Sequence, residues 1–190
     1  MFKIINYGFG NVCSISNMLN RIGIKNILIN SPKEVQENDT LILPGVGSYD
    51  NAIKSLSNLG FYDFLKNQND FINFKLVGIC LGLQILCDGS EEGTKEGLGL
   101  VKGVCKKFIP KSNCSETLIG WSKIILNDQF HNKNFLENFP KENKFYFLHS
   151  YYFPVNNQYT LLTAKNHNQY FSAVINYKNI YGWKCTKSRN

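Results

Sequence analysis

The sequence predicts a single α/β domain: mostly parallel sheet with flanking helices in its first half, and a mixed, antiparallel second half. Three observations carry this. Up to about residue 88, short apolar runs alternate with segments of helical period, the pattern of strands joined by crossover helices. Glycine-rich turns follow the runs at Lys3 to Asn6 and Thr40 to Leu43. Beyond Gly89 the period falls to two, in segments rich in aromatic and β-branched residues.

The elements follow in order. Lys3 to Asn6 reads as a strand, and Tyr7-Gly8-Phe9-Gly10-Asn11 as a glycine turn. Val12, Ile15, Met18, Leu19 and Ile22 recur at helical spacing, with Gly23 as the stop. Asn26 to Asn30 is a second strand, and Ser31-Pro32-Lys33-Glu34 a capping box with proline at the first helical position. Thr40 to Leu43 is a third strand, running into Pro44-Gly45-Val46-Gly47, and Asp50 to Asn69 is helical with a break near Gly60. Lys75 to Ile79 is a buried strand, and Leu81 to Asp88 the helix after it. The second half offers Leu98 to Val101, Val104 to Ile109, Trp121 to Leu126, Phe145 to Val155, Thr160 to Lys165 and Tyr170 to Asn176 as strands. Tyr177-Lys178-Asn179 is a hairpin turn.

Composition narrows the class. A chain of 190 residues with 43% hydrophobic and 14% aromatic content buries a sizeable core and is not a disordered protein. No apolar run reaches the roughly 18 residues of a membrane span, and the N-terminus lacks the basic start and apolar stretch of a secretory signal, so a cytoplasmic protein is expected. The net charge of +7 comes from dispersed lysines with only Arg21 and Arg189 beside them, which argues against a nucleic-acid face. Cys13, Cys80, Cys87, Cys105, Cys114 and Cys185 form no C-x-x-C pair and no zinc spacing, so neither a metal nor a cofactor is expected.

Chemistry concentrates at Gly78-Ile79-Cys80-Leu81-Gly82-Leu83-Gln84. A small residue two before and two after a nucleophile permits a sharp strand-to-helix turn that exposes its side chain at the sheet edge. The N-terminus of the following helix favours the thiolate. Gly45, Val46 and Gly47 follow another parallel strand, so their backbone lies at the same edge and can donate N–H groups. With the amide of Leu81 they make a candidate oxyanion hole.

These residues resemble the nucleophile motif of class I, triad-type glutamine amidotransferases. Further segments narrow the resemblance to the amidotransferase subunit of imidazole glycerol phosphate synthase: Asn6 to Asn11, Leu43 to Gly47, Ser90-Glu91-Glu92-Gly93, Gly97 to Leu100, Gly120-Trp121, Phe147 to Tyr151 and Phe171 to Ile175. The resemblance implies a γ-glutamyl thioester on Cys80, an oxyanion held by Gly45, Val46, Gly47 and Leu81, and contacts to glutamine from Gln84, His149, Ser150 and Tyr151. It also implies a (β/α)8-barrel cyclase subunit as heterodimer partner, which receives the ammonia for histidine biosynthesis.

The sequence departs from that pattern at Asn6, at Thr117-Leu118-Ile119 and, most severely, after Gly182. There the family continues to His-Pro-Glu, the base and its orienting acid, and to a final helix. This chain reads Trp183-Lys184-Cys185-Thr186-Lys187-Ser188-Arg189-Asn190. The expectation is therefore one amidotransferase domain over residues 1–190, short at its C-terminus through a frameshift or truncation. Of His131, His149 and His167, His149 is the nearest candidate for a substitute base. Two other readings stay open: a paralogous amidotransferase that aminates a sugar for surface glycans, and a catalytically dead binding or regulatory subunit.

Overall fold

The computed structural model describes residues 1–67, 73–109, 117–126, 144–184 and 187–188. Strands β1 (Phe2–Ile5), β2 (Asn26–Ile29), β3 (Thr40–Leu43) and β4 (Lys75–Ile79) alternate with helices α1 (Val12–Arg21), α2 (Tyr49–Asn58) and α3 (Phe61–Lys66). Helix α4 (Leu81–Leu86) follows β4 directly. The second half holds β5 (Cys87–Ser90), β6 (Val101–Lys107), β7 (Leu118–Leu126), β8 (Lys144–His149), β9 (Tyr151–Tyr152), β10 (Thr160–Asn166), β11 (Gln169–Tyr177), β12 (Ile180–Trp183) and β13 (Lys187–Ser188).

Among the described residues the main sheet runs β13-β8-β7-β10-β11-β12-β4-β3-β1-β2. From β12 through β2 every neighbouring pair is parallel, and from β13 through β12 every pair is antiparallel. The mixed α/β architecture expected from the change of period at Gly89 is thus the one found. A small sheet, β5-β6-β9, stands beside it.

Local signals fix several boundaries. Asn11 caps α1 by accepting from the Ser14 amide at 2.9 Å, and Gly23 ends it with φ +76°. Both bonds of the capping box at Ser31 and Glu34 are present around a short 3-10 turn. Gly60, left-handed at φ +78°, separates α2 from α3. Lys178, also left-handed, and Asn179 turn β11 into β12, with Tyr177 opposite Ile180.

Burial explains why the first half is wound on both faces. Ile5, Leu41, Leu43 and Leu76 join residues of α2, α3 and α4 in one large core, with Tyr49 and Phe61 wholly enclosed. Ile4 and Ile42 point the other way, onto Leu19 of α1. A third cluster, around Phe147, Phe171 and Leu161, sits under the antiparallel strands.

Of the residues at helical spacing on α1, Leu19 alone is fully covered, and Met18 and Ile22 are exposed. Three expectations are corrected. Helix α4 stops at Leu86, not Asp88: Cys87 turns extended, with ψ 177°, and starts β5 against β6. Leu98 to Leu100 form a docking loop and no strand; their amides donate to Ile85, Cys87 and Leu86, satisfying carbonyls at the end of α4. The long strand expected over Phe145 to Val155 breaks at Ser150, where β9 leaves for the small sheet.

Candidate active site

Cys80 occupies the turn between β4 and α4 with φ +57° and ψ −104°, a backbone conformation that L side chains rarely adopt. Such strain costs on the order of 1–3 kcal/mol and persists only where the surroundings enforce it. Here glycines enforce it. A Cβ on Gly82 would stand 2.0 Å from the Leu43 carbonyl oxygen, and one on Gly45 2.7 Å from Cβ of Leu81. A Cβ on Gly78 would stand 2.8 Å from the Gly82 carbonyl. The two glycines of the nucleophile turn and the one after β3 thus let the loop and the turn interlock. On the other side the Cys80 amide donates to the Trp183 carbonyl at 2.7 Å, tying the turn to β12. The thiol itself is half-buried, within reach of a small molecule.

The loop after β3 is held from below. Tyr7 is buried, and its hydroxyl donates to the Pro44 carbonyl at 2.6 Å. Burial, and secondarily the neighbouring Cys80, push the Tyr7 hydroxyl well up from its ordinary value, so it stays a donor. Gly10 lies so close that a Cβ would sit 2.8 Å from that of Pro44. Val46 and Gly47 remain exposed, with Gly47 at φ +115°.

The candidate oxyanion donors are brought together but not all free. The Leu81 amide donates to the Gly45 carbonyl at 3.3 Å, a long bond. An anion reaching this amide displaces that carbonyl, which requires the Gly45–Val46 peptide to turn. A turned peptide adds the Val46 N–H in the carbonyl's place.

Gln84, one helical turn beyond Cys80, is buried and engaged at both ends of its amide. Its Oε1 accepts from Lys184 Nζ, while its Nε2 donates to Glu92 at 2.6 Å and to Ser90 at 3.3 Å. His149, at the end of β8, is 7% exposed and walled by Phe108, Phe147 and Phe171 at ring-centroid distances of 5.3 to 5.8 Å. Among the described residues neither ring nitrogen has a partner of good hydrogen-bond geometry; the Tyr151 backbone bears on the ring only weakly, and no bond to the Cys80 thiol is made. Desolvation first, and the Lys184 charge second, hold its pKa well below the usual imidazole range, so it is neutral at pH 7. The Ser150 hydroxyl is paired with that of Thr117 at 2.7 Å, and the Tyr151 backbone pairs with Lys107 in the small sheet. His167 lies exposed in the β10–β11 turn, and His131 lies outside the described residues.

The structure therefore joins Cys80, Leu81 and Gly45 directly and sets Gln84 above them, with the His149 segment entering through the antiparallel half. Lys184 was not legible as part of this group. A lysine just past an apolar strand reads as a solvated end, yet alternation along β12 puts it on the inward face of Gly182. Tyr7 and Glu92 lie in segments that carried the resemblance, though nothing in their spacing marked them individually.

Residues 3–183 match the family model described as glutamine amidotransferase class-I. The chain is 37% identical to imidazole glycerol phosphate synthase subunit HisH 2 of Methanococcus maripaludis, covering 96% of this chain and 89% of that one. It is 34% identical to subunit HisH of Bacillus subtilis, covering 96% and 86%. In fold it resembles a crystal structure of a glutamine amidotransferase, with a TM-score of 0.66 at 12% identity over 97% of this chain and 89% of that one. A second likeness is to PurLQS from Thermotoga maritima, with a TM-score of 0.62 at 17% identity over 97% and 86%.

Proposed function

The chain belongs to the class-I glutamine amidotransferase family, and on that footing we propose that it is the amidotransferase subunit of an imidazole glycerol phosphate synthase. The observation that carries this reading is the strained Cys80 turn, interlocked with the Gly45 loop, in a chain similar along nearly its whole length to HisH subunits. It hydrolyses glutamine to glutamate and ammonia, and passes the ammonia to a cyclase subunit in histidine biosynthesis. We place the whole described chain in one amidotransferase domain, working in the cytoplasm as half of a heterodimer with a (β/α)8-barrel. No helix among the described residues is long and apolar enough to cross a membrane.

On this reading the chemistry is acyl transfer through Cys80. The Cys80 sulfur attacks the carboxamide carbon of glutamine, and the new C–S bond forms as the carbonyl π electrons move to oxygen. The resulting oxyanion meets the Leu81 amide and the amides that the turned Gly45–Val46 peptide presents. The proton that the thiol gives up to water on attack is returned to the leaving nitrogen, so that collapse breaks the C–N bond and releases ammonia. Water then attacks the thioester, releasing glutamate and restoring the thiol. Gln84, His149, Ser150 and Tyr151 line the substrate side in this reading.

An exposed apolar face on the outer side of β7 and β8 supports a partner in this reading. Ile119 and Leu148, opposite each other in register, are 63% and 53% exposed, with Trp121 beside them against Tyr146. Exposed apolar side chains gathered in this way suit a protein interface.

One observation favours a second reading, a docking subunit without turnover: residues 183–190 carry no histidine and no acid. Thiol alkylation separates the two. If Cys80 is catalytic, iodoacetamide modifies it ahead of exposed Cys13, and L-glutamine, but not L-asparagine, protects it. Equal, unprotected labelling of both cysteines contradicts the amidotransferase reading.

A further inference from the structure

Lys184 is wholly buried, an unusual place for a lysine. Its backbone is pinned: the amide donates to Ala173 at 2.9 Å, and the preceding carbonyl accepts from Cys80 at 2.7 Å. Its side chain shares the inward face of β12 with Gly182, whose missing Cβ leaves room beside Leu83. From there it runs under α4 and donates to Gln84 Oε1. Among the described residues no carboxylate forms an ion pair with it. A buried cation facing a neutral amide alone is expensive unless the amide passes the charge on. Here it does: Gln84 Nε2 points its hydrogens at the Glu92 carboxylate, 2.6 Å away, and at Ser90. Lys184, Gln84 and Glu92 thus form a line, cation to amide to anion, across the second turn of the helix that begins at Cys80.

The direction of this line matters. A glutamine amide left to itself can flip, presenting donor or acceptor to the same neighbour. An Nζ group has hydrogens and no acceptor, so it admits only the oxygen, and Glu92 admits only the nitrogen. The two charges fix one orientation from opposite ends. The Ser90 hydroxyl, which also accepts from the Glu92 amide at 3.2 Å, anchors the anionic end.

We propose that Lys184 is a positioning residue for glutamine recognition, which acts by locking the Gln84 carboxamide and, through it, the Glu92 carboxylate beside the nucleophile turn. This rests on the reading that the chain binds glutamine above Cys80. Lys184 bonds to Gln84 and not to the Cys80 sulfur; it sets the polarity of the Gln84 carboxamide, the group the resemblance places against glutamine. Losing it leaves Gln84 Oε1 buried without a donor and frees the amide to turn its oxygen toward Glu92, where two acceptors repel.

The test compares two reagents on the same thiol: a chloroketone analogue of glutamine, which needs recognition, and iodoacetamide, which needs only an accessible thiolate. In the unaltered chain the chloroketone labels Cys80 far faster than iodoacetamide does. In Lys184→Met that preference falls roughly tenfold or more, the scale of one hydrogen bond to a charged group, while the iodoacetamide rate stays within about twofold. Lys184→Arg, which keeps a cationic donor, recovers most of the preference. Should Lys184→Met fail to fold, Lys184→Gln serves, since its shorter side chain does not reach Gln84 and the same loss is expected. Retention of the preference in a folded Lys184→Met or Lys184→Gln overturns the positioning role and leaves the amidotransferase reading intact. Absence of any preference in the unaltered chain overturns that reading, and this inference with it.

Discussion

At Cys80 the side chain is placed by a backbone that only its neighbours' lack of side chains allows. The Leu43 carbonyl oxygen stands where a Gly82 Cβ would be, so Gly82→Ala must push β3 and α4 apart. The expected cost is ~3 kcal/mol or more, visible in denaturant unfolding, together with loss of selective Cys80 alkylation. His149 gives a second prediction at this scale. Its folded pKa lies below the unfolded value of about 6.5, so the unfolded chain takes up the proton first as pH falls. The His149 contribution is complete above about pH 6.5 and is lost below it, by up to about 1.4 kcal/mol per pH unit until the folded pKa is reached. Stability measured between pH 7 and pH 5 therefore declines, and less steeply in His149→Phe. An equal slope in both proteins would contradict the buried, neutral imidazole.

Helix α4 and strand β12 are where contacts between elements define the site. Leu83 on α4 is fully enclosed and abuts the Gly182 position, so Leu83→Ala is expected to cost ~2–5 kcal/mol and loosen the nucleophile turn. Unfolding by denaturant measures the first effect, and the alkylation rate of Cys80 the second. Thiol access also follows from the elements. Cys13 is exposed on α1 and Cys80 half-buried, whereas Cys87 and Cys105 are enclosed where β5 meets β6, their sulfurs 3.9 Å apart. Burial pushes the Cys87 thiol up, so of these four only Cys13 and Cys80 react before unfolding. Labelling followed by peptide mapping checks this.

Much of this level was readable from sequence, because spacing alone specifies it. Gly78, Cys80 and Gly82 lie within one turn of chain, and the Gly45 loop announces itself after an apolar strand. What was not readable depends on distant segments. The Lys184–Gln84 bond joins residues 100 positions apart, and only the sheet order puts β12 beside β4. The small β5-β6-β9 sheet was hidden for another reason. Cys87-Asp88-Gly89-Ser90 has no strand propensity, and tertiary pairing overrides it. The early end of α4 follows from that same pairing.

Across the whole molecule, a parallel half presents Cys80 and the glycine loop at one sheet edge, and an antiparallel half supplies the His149 segment and an exposed apolar face. The division explains why the change of period at Gly89 was the most useful signal of architecture, and why the exposed apolar face, built from outward residues of β7 and β8, needed the register to appear. It also frames the central claim: Cys80 is the nucleophile of a glutamine amidotransferase that works with a cyclase. The direct measurement is glutamate release from glutamine by the chain, alone and with a barrel cyclase and its nucleotide ligand, with Cys80→Ala as control. The account predicts release that rises with the partner and vanishes in Cys80→Ala. A stable complex that releases no glutamate above the Cys80→Ala control would contradict it.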